Sequence, residues 1–405
     1  MFDLLRIVLI VLVILILIKK KWDLGLVLFV GTLLIALVFR LQFKIFLHNV
    51  LEALVSRDTL SLVGIILLVL YIGTLLQSRG NFKRMVDSLK NLIPEPRLIL
   101  ALPSVFIGLL PMLGGALMSA PIVEEAGQRW NLTPAWKTFL NYWFRHIWEY
   151  CWPLYVNVIL AAAILQIPIK KIASVQFPFT ILAVVLGLVI LFKNVPALSQ
   201  EKNDQSFFRN VYSLFFSIWP IFLVIILIFA FKLSMLVSLF IVFLLTQIFF
   251  RIRIKERLNI IWKSISLKTV FLVASVMVFK RILEVSGALN SLTQVFPSEG
   301  VSAYLLLFTV PFFLGLLTGV NHAYVGISFP LLLPIFGSGN PDMILVLFAY
   351  VSGFVGILLS PAHLCLFLTL DYFKADLRDV YKILIWPVAL IFVAAFLVLF
   401  FSRIV

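Results

Sequence analysis

Apolar residues occur in long runs that are separated by short polar gaps. A membrane-spanning helix needs about 20 predominantly apolar residues, and ten runs are close to that length or longer. They lie at about 2–18, 22–39, 60–77, 138–167, 172–192, 211–231, 233–250, 269–286, 342–370 and 383–402. The runs at 138–167 and 342–370 contain Pro153 and Pro361 and are predicted to be broken helices. The pattern predicts an all-α integral membrane protein with about ten transmembrane helices.

Two further apolar stretches, 98–128 and 301–337, are interrupted near the middle. The interruptions run from Pro111 to Gly115 and from Thr318 to His322. Each half of these stretches has only about 10–15 residues, too few to cross a bilayer. We therefore predict two re-entrant helix–turn–helix hairpins. A kinked spanning helix followed by a loop is the alternative.

Landmarks in the first half of the chain recur in the second half. The matching pairs, 207 to 209 residues apart, are Gly80 and Gly287, Gly108 and Gly315, Pro121 and Pro330, and Pro153 and Pro361. Each half has three spans, a hairpin, a broken span and a final span. Because the hairpin does not cross the membrane, each half crosses it an odd number of times, and the second copy is therefore inverted relative to the first. Inverted repeats are typical of transporters. We expect a first repeat at 1–192, a cytoplasmic linker at 193–210 and a second repeat at 211–405.

Composition agrees with a membrane protein and excludes a soluble domain. The chain has 405 residues, of which 63% are hydrophobic and 13% charged, and a mean hydropathy of +1.14. Soluble domains are about 45–50% apolar and about 25% charged. The net charge of +15 comes from Lys and Arg in the short gaps between apolar runs. This placement indicates control of topology and not a nucleic-acid partner.

The charge bias between the gaps predicts the orientation. With the N-terminus outside, 22 of the 33 Lys and Arg residues lie on the cytoplasmic side, eight lie outside and three lie within spans. Cytoplasmic loops carry the excess of positive charge. We expect a multi-pass protein of the cell membrane, the plasma or inner membrane of a prokaryote, with both termini outside.

Candidate binding residues gather at the predicted helix breaks. Interrupted backbone persists in a membrane only where protein or a water-filled cavity satisfies it. If both hairpins reach the midplane, the four breaks meet there and can bind a solute or ion. The candidates are Gly114, Gly115, Ser119, Tyr155, Asn157, Thr318, Gly319, Asn321, His322, Ser360 and His363. Structural capping of the broken helices is the alternative role for the Ser, Thr and Asn residues.

Charged residues inside spans are a second group of candidates, because such residues are costly in a membrane. Arg145 and Glu149 are four residues apart, as are Lys280 and Glu284, so each pair can interact on one helix face. Placement at the membrane interface remains open for the first pair. His363, like His322, lies beside a break and either couples transport to protons or makes an interhelical hydrogen bond.

No pattern of catalytic or metal-binding residues is visible. Cys151 and Cys365 lie in apolar stretches without metal-ligand spacing and are expected to be buried free thiols. There is no HExxH motif, and no serine-plus-base or paired-aspartate motif stands out within the spans. We expect no enzymatic activity, no catalytic residue, no bound metal and no cofactor.

Two segments carry a resemblance to a known family. They are FIGLLPMLGGALMSAPIVEEAG at 106–127 and NYWFRHIWEYCWPLYVNVILAAAIL at 141–165. The chain resembles, over essentially its whole length, the uncharacterised membrane family called domain of unknown function 401. That family is similar to the ion-transporter superfamily of citrate, gluconate, C4-dicarboxylate, arsenite and sodium/proton carriers. The resemblance implies hairpins that face broken helices. The Ser-Asn-Thr tip motif of the sodium symporters is absent, and only Asn321 is similar to it.

The sequence therefore predicts a secondary active transporter, a symporter or antiporter that moves a small, anionic solute such as a carboxylate by alternating access. An ion channel or a membrane-embedded enzyme is the alternative. The coupling ion is Na⁺ or H⁺. The expected partners are membrane lipid and the small-molecule solute, with a homodimer as a further possibility.

Overall fold

The computed structural model describes residues 2–92, 95–109, 115–197, 207–289, 300–337 and 339–404. This part of the chain is all-helical and contains no β-strand, which confirms the prediction of an all-α protein. The first half contains α1 (Phe2–Lys19), α2 (Leu24–Val38), α3 (Phe43–Val55), α4 (Arg57–Ser78), α5 (Asn81–Leu92), α6 (Leu102–Ile107), α7 (Gly115–Gln128), α8 (Pro134–His146), α9 (Val156–Leu165) and α10 (Ile169–Asn194). The second half contains α11 (Phe207–Phe229), α12 (Met235–Phe249), α13 (Ile254–Ser264), α14 (Leu267–Val285), α15 (Val301–Thr318), α16 (Asn321–Phe336), α17 (Met343–Leu358), α18 (Leu364–Phe373) and α19 (Leu377–Phe401).

Several of these helices are suited to a bilayer. Among the described residues, α4, α10, α11, α15 and α19 are long and apolar enough to cross a membrane. A sixth candidate is α13 with α14, which together meet the criterion but bend by 53°. Large apolar side chains are exposed on the outside of the molecule, for example Val301, Phe208 and Leu267 at 84%, 82% and 77%. These features indicate a multi-pass membrane protein, while the figure of ten crossings stays a prediction.

The helices are interrupted near the predicted breaks, with three differences. Helix α15 has 18 residues and could span a bilayer by its length, so the expectation that each half of the second hairpin is too short was wrong for this half. Its break is confined to Gly319, in the left-handed conformation with φ 62°, and Val320. In the first broken helix the break is longer than Trp152-Pro153, because α8 ends at His146 and a 3₁₀ turn follows at Ile147–Tyr150. The tip of the first hairpin lies outside the described residues.

Three helices lie outside the predicted spans. One of them is the amphipathic helix α5, which buries Phe82, Met85 and Leu89. Helices α3 and α13 were not predicted, because each is short and mixes charged with apolar residues. Of the predicted linker, the described residues show α10 ending at Asn194 and α11 beginning at Phe207, and residues 198–206 lie outside the described part.

Each of the two predicted hairpins packs directly against the backbone of a broken helix. A Cβ atom at Gly315 in α15 would overlap the carbonyl oxygen of Gly353 in α17. A Cβ atom at Gly108, just after α6, would overlap the carbonyl oxygen of Arg145 in α8. Close approach of this kind needs residues without a side chain. The two glycines therefore set how near the hairpins lie to the interrupted backbone.

Candidate functional site

The interrupted helices bring a group of polar side chains together inside the molecule. We call this group the central cluster; it consists of Arg145, His146, Glu149, Tyr155, Asn157, Asn321, Tyr350 and His363. These residues come from the end of α8, the 3₁₀ turn, the starts of α9, α16 and α18, and the middle of α17. All except Asn321, which is half-buried, are buried. Because α8 ends at His146, the chain turns and its next residues face the interior.

Glu149 joins the two halves of the chain. The side-chain amide of Asn321 donates to one oxygen of the Glu149 carboxylate. The backbone carbonyl of Glu149 accepts from the Tyr350 hydroxyl at 2.7 Å and from Nδ2 of Asn157 at 3.1 Å. Asn157 Nδ2 also donates to the Tyr350 hydroxyl at 2.6 Å. The break in the first half is therefore bonded to α16 and α17 of the second half.

Two histidines make a second contact between the halves. Nε2 of His146 lies 2.9 Å from Nε2 of His363. Nδ1 of His146 lies 2.6 Å from the carbonyl oxygen of Tyr142, one turn back in α8. Nδ1 of His363 lies 2.6 Å from the carbonyl oxygen of Gly319 at the tip of the second hairpin. The imidazoles thus form a continuous chain of short contacts from α8 to this hairpin.

Other side chains connect each break to its own hairpin. The hydroxyl of Tyr155 donates to the carbonyl oxygen of Gly108 at 2.6 Å. The hydroxyl of Ser360 donates to the carbonyl oxygen of Leu316 at 2.7 Å. The bond from Ser360 satisfies a carbonyl group in the last turn of α15, where carbonyl groups lack partners within the helix.

The central cluster combines opposite charges with exposed helix dipoles. Arg145 and Glu149 are only 2% and 4% exposed, and Arg145 interacts electrostatically with Glu149 and Tyr155. Helices α9, α16 and α18 begin here, and none has a side-chain hydrogen bond at its N-cap. Helix N-termini carry partial positive charge and attract anions. Together with Arg145 they make this region suitable for a negatively charged group.

The comparison with known families agrees with the sequence resemblance. The model of the family described as "Protein of unknown function (DUF401)" matches residues 2–401. The chain belongs to this DUF401 family. No curated protein matches it. The predicted family is therefore confirmed over nearly the whole chain.

The remaining candidates at the hairpins of this DUF401 protein are placed as follows. Gly114 lies outside the described residues, and Gly115 is the buried first residue of α7. Ser119, also in α7, donates to the carbonyl oxygen of Ala116 at 3.3 Å. Thr318 donates to the carbonyl oxygen of Leu314 at 2.6 Å and accepts from the backbone N–H of Val320, as a capping residue does. His322 is half-buried in the first turn of α16.

Lys280 and Glu284 lie apart from the central cluster. They form the expected ion pair on α14, with 3.9 Å between Nζ and Oε1. They line a separate cavity of about 140 Å³ that also contains Glu52, Asp58 and Arg281. The structure therefore does not bring this pair together with Arg145 and Glu149.

No sequence pattern indicated a functional role for His146, Tyr350 or Cys365. One ring nitrogen of His146, one of His363 and the sulfur of Cys365 lie within 4.8 Å of one another. Tyr350 lies in the middle of the apolar run that forms α17, so it was interpreted as part of that run. The available signal was the presence of polar side chains inside runs otherwise made of aliphatic residues, since buried polar groups need partners.

Proposed function

We propose that the protein is a secondary active transporter that carries a small anionic solute through the central cluster by alternating access. The observation that supports this most is the buried pair Arg145 and Glu149, placed where helix breaks from both halves of the chain meet. Charged groups in a membrane interior mark substrate or ion pathways. Transporters bind their solutes at such discontinuous helices.

An anionic solute fits the charge of the site. Arg145 provides a permanent positive charge, and a guanidinium can bind a carboxylate with two parallel hydrogen bonds. The uncapped N-termini of α9, α16 and α18 add N–H donors. Glu149 balances Arg145 while the site is empty. We infer that the anionic solute, when it binds, takes over from Glu149 part of the neutralisation of the Arg145 charge.

Matching backbone features support a fold of ten crossings in two inverted repeats. Residues in the left-handed conformation occur at Lys21 and Lys232, Arg40 and Arg251, and Gln166 and Lys374. Gly108 approaches Arg145 as Gly315 approaches Gly353. Such a fold fits the ion-transporter superfamily, and in related carriers repeats exchange access to a fixed central site. A dimer stays a prediction.

The contacts between hairpins and breaks suggest what moves. The second hairpin is bonded to the break by Ser360 and His363, through the carbonyl groups of Leu316 and Gly319. Displacing the hairpin requires these bonds, the bond of Asn321 to Glu149 and neighbouring packing to rearrange. We infer that solute binding changes them and that each hairpin opens the site to one side.

Uptake by purified protein in liposomes tests the proposed function. We expect saturable, gradient-driven uptake of one solute from a set of carboxylates, sugar acids and oxyanions, assayed with and without sodium. Arg145→Gln should abolish this uptake, because the buried positive charge is lost. Arg253→Gln should retain it, because Arg253 is exposed on the surface. Non-saturating ion conductance would indicate a channel, and turnover of a lipid or peptide without uptake would indicate an enzyme.

Accessibility of single cysteines tests the proposed orientation in the cell membrane. With both termini outside, Asn340→Cys should react with a membrane-impermeant reagent added outside, and Gln200→Cys should not. Both native cysteines are buried and give little background. The opposite labelling pattern would overturn the orientation without affecting the site.

A further inference from the structure

The chain of contacts through the two histidines needs one proton more than two neutral imidazoles supply. Carbonyl oxygens only accept, so the contacts to Tyr142 and Gly319 require a proton on Nδ1 of each ring. A neutral imidazole has a single N–H. Both Nε2 atoms would then face each other with lone pairs at 2.9 Å, which is repulsive. A cation between the Nε2 atoms removes this conflict.

The distance favours a proton over a metal ion as this cation. A separation of 2.9 Å is that of a hydrogen bond. Two imidazole nitrogens on one tetrahedral Zn²⁺, each at about 2.0–2.1 Å, lie about 3.3 Å apart. The nearby sulfur of Cys365 still makes metal binding a necessary arm of the test.

The surroundings can hold the additional charge. Oε1 of Glu149 lies 3.8 Å from Nε2 of His146 and offsets a positive imidazole pair. The charged and titratable groups that face the pair are Tyr142, Arg145, Glu149 and Cys365. Burial and Arg145 oppose the proton, and Glu149 favours it. With the pair protonated the cluster carries a formal charge of +1, and without the proton its charge is zero.

We propose that His146 and His363 share one additional proton, and that this proton travels with the solute. The second half of the proposal rests on the transporter function proposed above. A site of charge +1 is neutralised by a monoanion, so the proton and the anion each increase the affinity for the other. When the hairpin moves, the bond between His363 and Gly319 breaks, which removes the arrangement that holds the proton.

Nitrogen-15 NMR of histidine in the lipid-embedded protein tests the shared proton without any transport assay. The chain has four histidines, so the spectrum is simple. We expect one imidazolium charge shared by two rings between pH 5 and 7. His146→Gln or His363→Gln should remove this signal, and His48→Gln, at an exposed position, should retain it. Two neutral rings throughout this range would overturn the proposal. Stoichiometric binding of Zn²⁺ that is abolished by His146→Gln and by His363→Gln would also overturn the proposal.

Proteoliposomes test whether the proton is coupled to the solute. A pH one unit lower outside should drive up to about ten-fold accumulation of a monoanion that moves with one proton. His363→Gln should lose this accumulation, because the second imidazole that shares the proton is then missing. His48→Gln should accumulate normally. Accumulation by His363→Gln equal to that of the unmodified protein would overturn the coupling. Absence of uptake in the unmodified protein would instead contradict the transporter function and leave the NMR result valid.

Discussion

Replacing Asn321 with alanine is expected to lower solute uptake by about ten- to a hundred-fold, to near the background of protein-free liposomes. The amide of Asn321 donates to the buried carboxylate of Glu149 and connects the second hairpin to the first broken helix. Hydrogen bonds to charged groups contribute about 1.5–3 kcal/mol, which corresponds to this range. The loss should appear in initial rates at saturating solute.

The matched control for Asn321→Ala is Asn194→Ala. Asn194 is exposed at the end of α10, and its side chain bonds to the carbonyl oxygen of Ile190 in the same helix. This variant should transport normally, while both variants should reach the membrane in equal amounts. Normal uptake by Asn321→Ala would exclude Asn321 from the site.

Adding a single methyl group at Gly315 or Gly108 is expected to destabilise the protein strongly. In Gly315→Ala the new Cβ overlaps the carbonyl oxygen of Gly353, and in Gly108→Ala that of Arg145. Backbone atoms cannot rotate away as a flexible side chain can, so the helices must separate. Overpacking typically costs about 1–3 kcal/mol. Melting temperatures in detergent should fall by several degrees for each variant.

Gly73→Ala provides the matched control for these two substitutions. It makes the same chemical change inside α4, where a Cβ meets no atom within 4 Å. Alanine has the higher helix propensity, by about 1 kcal/mol, so stability should stay equal or rise. Equal melting temperatures for all three variants would show that the hairpins are not held at contact distance.

The sequence predicts the positions of most helices well, because each helix that crosses a bilayer needs a long apolar run. A break in such a helix is visible as an interruption of the run. The long runs that became α4, α10, α11 and α19 needed no tertiary information. Helices α3 and α13 were missed because short amphipathic helices give a weak pattern that resembles a polar loop. Helix α15 was judged too short to cross a bilayer, although it ends at Thr318, where the interruption was predicted.

The central cluster was predictable in its location but not in its contacts. The breaks identified Asn321, His363 and Asn157 from local chemistry alone. That Asn321 would meet Glu149, 172 residues away, depends on how the halves dock. For the same reason His146 could not be paired with His363, because no local pattern encodes a contact across 217 residues.

Tyr155 and His363 stand at equivalent places in the two halves, each directly before the second helix of a broken span. Both bond to a carbonyl oxygen near a hairpin tip. A phenol ordinarily loses its proton only near pH 10, whereas an imidazole gains one near about pH 6.5. Acidification can therefore change the charge at one of these two positions and not at the other. This difference in side chain therefore distinguishes the two breaks chemically.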